Sequence, residues 1–106
     1  MNNPRRFRIP KKFMLHGQKW TVTFDDGLAH REDAVGLCLM RENKILLQSD
    51  TKDYPRPKSQ IEQTYFHELL HAAFDQLGEK GLRDNEALVD TLASLVHQAI
   101  TTAEYE

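Results

Sequence analysis

Two histidines four residues apart, with a glutamate directly after the first, form the stretch His67-Glu68-Leu69-Leu70-His71, the one place in this chain where chemistry dictates the spacing. In an α-helix, residues four apart lie about 6 Å apart along the axis on one face, so two imidazoles can close on a single metal ion. Zn²⁺ accepts neutral imidazole nitrogen and favours four tetrahedral ligands, which leaves room for a third protein ligand and a water. Glu68 would lie beside that water, where a carboxylate can take its proton and later return it to a leaving amine. The expected chemistry is metal-assisted hydrolysis. Histidines at this spacing also occur on exposed helix faces, and a glutamate can be a solvated charge. Those accidents account for each residue singly and for the set poorly.

A third ligand is expected from Asn85-Glu86-Ala87-Leu88-Val89-Asp90, which carries two acids four residues apart. Glu86 is the expected ligand. Asp90 then accepts a hydrogen bond from the free ring N–H of a ligating histidine and holds its tautomer. Two alternatives stand beside this. Glu86 can simply favour the positive end of its helix, and a tight antiparallel helix pair would set Asp90 level with His71, each about 9 Å from the turn. Asp75, one turn after His71, is expected to face solvent. His97 lies about 16 Å from Glu86 along the same helix and cannot share its metal. His16 and His30 have no ligand spacing to anything. A histidine outside the motif, or Tyr54, Tyr65 or Tyr105, could stabilise an oxyanion, and spacing does not choose among them.

The elements that must position these groups are readable from pattern. Arg8 to His16 reads as extended, Gly17-Gln18 as a turn, and Lys19 to Phe24 as a half-buried strand in which Trp20, Val22 and Phe24 alternate with threonines. Asp25-Asp26-Gly27 ends it, and Leu28 to Asp33 reads as a loop or helical turn. Ala34 to Met40 and Lys44 to Gln48 form a hairpin around Arg41-Glu42-Asn43. After a connection containing Pro55 and Pro57, Ser59 and Glu62 have the spacing of a capping box that starts a helix from about Gln60 to Leu77, with Gly78 as its left-handed stop. Ile61, Phe66, Leu70, Ala73 and Leu77 give it a buried stripe. Gly78 to Arg83 is a short turn, and Asp84 caps a second helix reaching about Thr102, packed through Leu88, Leu92, Leu95 and Ala99. So short a connection holds the second helix near the histidines.

The 106 residues make one domain, with no repeat and no apolar run long enough to span a membrane. A 40% hydrophobic and 28% charged composition is that of an ordinary soluble protein. The lone Cys38 and a basic N-terminus without an apolar block behind it lead us to expect a cytoplasmic protein. Net charge is −2, so nucleic acid is not expected as a direct ligand, although Arg5, Arg6, Arg8, Lys11 and Lys12 make the first dozen residues basic.

HELLH followed by NEALVD resembles the gluzincin metallopeptidases, whose pattern is H-E-x-x-H with a downstream N-E-x-x-S-D; Val89 stands where the serine is usual. The segments IPKKFMLHGQKWTVTFDD, GLCLMRENKILLQ and QTYFHELLHAAFDQLG are similar to the small metallopeptidase-like proteins of bacteriophages and prophages, and the likeness covers most of the chain. A looser likeness is to the ImmA/IrrE zinc peptidases, echoed by Glu86, Ala87 and Ala93. The resemblance implies an α+β fold, a minimal zincin-like domain with a small N-terminal sheet, an active-site helix and a second ligand-bearing helix. It implies zinc on His67, His71 and Glu86, with Glu68 as catalytic acid/base and Asp90 behind a ligand. Zincins bind peptide as a strand added to a sheet edge, and Lys44, Ile45, Leu46, Leu47 and Gln48 are the expected edge.

The expected function is therefore a zinc-dependent peptidase of phage or prophage type, acting on a specific protein such as a regulator, because 106 residues leave no room for the second subdomain of full gluzincins. The alternative is a zinc-stabilised interaction module that binds its partner without cutting it.

Overall fold

A computed structural model describes residues 7–106. The order of elements is β1 (Lys12–Leu15), β2 (Gln18–Asp25), α1 (Leu28–Glu32), β3 (Gly36–Leu39), β4 (Lys44–Gln48), α2 (Lys58–Gln76), α3 (Lys80–Arg83) and α4 (Glu86–Thr101). The fold is α+β: a four-stranded sheet in the order β1-β2-β4-β3, followed by helices. No helix among the described residues is long and apolar enough to cross a membrane. Of the basic N-terminal group, Arg5 and Arg6 lie outside the described residues.

The first hairpin turns at His16 and Gly17, both with positive φ (48° and 75°), the pairing that matches the right-handed twist of antiparallel strands. β2 then pairs with β4 in parallel, and β4 returns antiparallel to β3. Trp20 and Val22 of β2 and Ile45 and Leu47 of β4 point to the face that α2 covers. There they pack with Ile61, Tyr65, Phe66 and Ala72 of α2 and Ala93 of α4. Phe24, expected to alternate inward with them, is instead exposed at the far end of β2.

β4 is not an edge. It lies between β2 and β3, so the expectation that Lys44–Gln48 offers a free edge is corrected: the strand edges are β1 and β3. The physical reason was present in its composition, since KILLQ runs apolar without strict alternation, as strands with neighbours on both sides and cover on their faces do.

α2 begins at Lys58 behind Pro57, with no side-chain cap. The expected capping box is absent because Glu62 turns inward, where its Oε1 lies 2.9 Å from His97 Nε2 on α4. Gly78 (φ 75°) does end the helix, with Gly78 N–H donating to the Asp75 carbonyl and Glu79 N–H to that of Phe74. Leu77 is 64% exposed there instead of buried. Lys80–Arg83 is a short helix where a turn was expected, and Asn85 rather than Asp84 caps α4, accepting from Leu88 N–H at 3.1 Å.

α4 is rotated by about one residue from the expected phase. Val89, Ala93 and His97 are buried, while Leu95 is 59% exposed and Ala99 faces out. Ala93 allows close approach to α2, and the Glu62–His97 pair, both partners buried, holds the phase. The rotation turns Glu86 toward the histidines of α2.

Candidate metal centre

His67 and His71 project from the middle of α2, where the helix backbone is fully formed. Their rings meet edge to face with centroids 4.8 Å apart, and their Nε2 atoms converge to 3.1 Å. Glu86, in the first turn of α4, closes the set: Oε1 lies 3.0 Å from His67 Nε2 and Oε2 lies 3.0 Å from His71 Nε2. Asp90 Oδ1 stands 3.5 Å from His67 Nδ1, the other ring nitrogen, so it faces the side of the ring away from Glu86. The structure thus brings Glu86, not Asp90, to the shared point.

These three are a donor group that could hold a metal ion. Two imidazoles and one glutamate are among the sets that bind catalytic zinc, and a tetrahedral zinc with bonds of about 2.0–2.1 Å spaces its ligands roughly 3.4 Å apart. The observed separations of 3.0–3.1 Å match that to within a few tenths of an ångström. Two imidazole rings and a carboxylate crowded this closely are otherwise satisfied only by sharing protons between them.

Glu68, the residue between the ligands, is only 8% exposed. Burial pushes its carboxyl up to about 7, opposed by His67 and helped by the negative charge of Glu86. A carboxyl poised near neutrality exchanges protons with water efficiently in both directions. It is packed against Gly36 at the start of β3, where an ideal Cβ would lie 2.9 Å from Glu68 Oε2 and 2.5 Å from Thr64 Cγ2. Only a residue without a side chain allows the strand so close to the helix.

A groove of about 660 Å³ runs between β3 and the exposed face of α2, with the donor set on its floor. β3 forms one wall through Gly36, Leu37 and Cys38, continued by Val35 just before the strand. The thiol of Cys38 is pushed up to about 12 by burial and by the charges of Glu68 and Asp75, so it is a neutral wall group. At one end Arg83 binds Asp75 and Asp84, each at 2.9 Å, which ties α2 to α3 and fixes the corner from which α4 departs. Asp75 is therefore a structural anchor. At the other end stands Arg56.

Sequence reasoning missed Gly36, Thr64, Arg56 and Arg83. A glycine inside a strand was a readable sign of close approach; Arg56, Thr64 and Arg83 carried no signal. His16 lies far along the chain from the motif and contacts Gln76 at 3.2 Å, and His97 belongs to the helix interface. Comparison with family models, curated proteins and solved structures returns no match.

Proposed function

We propose that the protein is a zinc-dependent peptidase of the phage type that cleaves a specific protein, with His67, His71 and Glu86 as ligands and Glu68 as acid/base. The observation that carries this reading is the placement of both Glu86 oxygens at 3.0 Å from the two histidine nitrogens, with a buried carboxyl poised near neutrality beside them. Zinc held there would supply Lewis acidity, acidifying water and polarising a carbonyl.

Glu68 accepts the proton that water loses as it attacks the peptide carbonyl and passes it to the departing amine. Its burial keeps bulk water from levelling its basicity. Asp90, whose Oδ1 stands 3.5 Å from His67 Nδ1, is placed to accept from that nitrogen and so to keep Nε2 directed at the donor set. The free edge of β3, Gly36–Leu39, takes the part expected of β4: an extended peptide laid along it lies over α2. Arg83 sets α4 in position and takes no part in bond breaking.

Substituting Glu68→Gln tests the assignment. Zinc content stays at that of the parent while hydrolysis of the target falls by about 10²–10⁴-fold, as loss of a general base implies. Undiminished cleavage by the variant overturns the mechanism. A partner captured intact by parent and variant alike selects the interaction-module reading instead.

A further inference from the structure

Two arginines line the groove. Arg83 has two carboxylate partners. Arg56 has none: it is 7% exposed, its Nη2 donates to Thr64 Oγ1 at 2.9 Å, its buried Nη1 has no partner, and no carboxylate among the described residues forms an ion pair with it. A buried guanidinium without a counter-charge is destabilising in general.

The side chain is also held in advance. Pro55 and Pro57 restrict the backbone on both sides, Arg56 N–H donates to Asp50 Oδ1 at 2.8 Å, and Thr64 is itself fixed by donating to the Gln60 carbonyl at 3.0 Å. Thr64 precedes Glu68 by one helical turn, about 6 Å, and both touch the position that a Gly36 Cβ would occupy. Arg56 therefore stands at the same groove wall as the acid/base, one turn upstream. An extended chain covers about 6.6 Å in two residues.

We propose that Arg56 is a recognition site for a substrate carboxylate about two residues to one side of the bond that is cut. The inference rests on the peptidase reading for the position of that bond, but not for the binding of the carboxylate. A carboxylate supplies the missing counter-charge with acceptors that fit the guanidinium fork, which a lysine could not reproduce. Both an Asp or Glu side chain and a chain-terminal carboxylate have this chemistry.

The zinc-loaded full chain is incubated with a proteome-derived peptide library, and the cut sites are read by mass spectrometry. Asp or Glu concentrated at one position within two residues of the cut identifies an internal carboxylate; cuts confined to the last two bonds identify a terminal one. In matched synthetic peptides, Asp (or the free terminus) is preferred over Asn (or the amide) by about ten-fold or more in kcat/KM, as a charge-assisted hydrogen bond implies. Arg56→Met reduces that ratio to within about two-fold, and Arg56→Lys restores it only in part. Cleavage by the parent with no such preference overturns the inference and leaves the peptidase reading standing.

A second readout needs neither cleavage nor a variant that folds. N-acetyl-aspartate amide and N-acetyl-asparagine amide are titrated into the ¹⁵N-labelled parent while the Arg56 Nε–Hε signal is followed. A saturable shift with the aspartate probe alone upholds carboxylate recognition even if hydrolysis is never seen. Identical responses to the two probes refute it.

Discussion

Adding one methyl group at Gly36 should disturb the molecule in a way that can be worked from the structure. Gly36 lies in ordinary strand backbone, so alanine brings no strain there and even gains about 0.4–1 kcal/mol from a less flexible unfolded chain; the cost is contact, which outweighs it. The new Cβ would meet Thr64 Cγ2 at 2.5 Å, about 1 Å inside normal carbon–carbon separation, and would press on Glu68 at 2.9 Å (Oε2) and 3.1 Å (Cγ). Thr64 cannot turn away without breaking its bonds to Arg56 and the Gln60 carbonyl. The strand must therefore shift outward, at a cost of about 1–3 kcal/mol, or a fall in Tm of roughly 5–20 °C for a domain of this size. Urea denaturation of the metal-free protein reads it. Thr64→Ser removes the offending methyl and keeps the hydroxyl, so a double-mutant cycle should show Gly36→Ala and Thr64→Ser compensating one another by about 1 kcal/mol. Gly36→Ala within about 0.5 kcal/mol of the parent, or no coupling to Thr64→Ser, would refute the packing of β3 on α2 described above.

Other outcomes follow from the same geometry. With its carboxyl raised from 4.5 to about 7, chiefly by burial, Glu68 favours the metal-free fold fully below pH 4.5, and that contribution, on the order of 3 kcal/mol, is lost as pH rises through 7. In chelator, Glu68→Gln should match the parent near pH 4 and exceed it near pH 8; parallel stability curves for the two proteins would show that the carboxyl is not buried. Glu62→Ala leaves His97 without its partner between α2 and α4 and should destabilise by about 1–3 kcal/mol. It should also weaken zinc affinity by loosening Glu86, measured by competition with a chromophoric chelator, while Glu62→Gln is milder. A Glu62→Ala protein as stable as the parent would remove the pair from its role.

Local pattern sufficed for much of this protein. The spacing of His67, Glu68 and His71 needs only a helix, and the helix needs only its own periodicity and Gly78. The two hairpins were legible because turn residues and strand alternation act within a few positions of each other. The α+β class followed from the same signals. What failed did so wherever a partner distant in sequence made the choice. Glu62 has the spacing of a cap but bonds His97, thirty-five residues on. The leucines of α4 look like its buried stripe, yet the smaller Val89 and Ala93 are buried because they let two helices approach.

Sequence alone determined which side chains have the type and spacing that cation binding and proton transfer call for, since those are properties of residue types repeated at the helix period. Tertiary structure was needed to choose between Glu86, the expected ligand, and its rival Asp90 at the histidines, and it alone decided that β3 and not β4 borders the groove and that Arg56 stands there uncompensated. Each of those depends on the rotation of one element against another, and that rotation is set by packing volume and buried pairing summed over the whole core, which no single segment encodes.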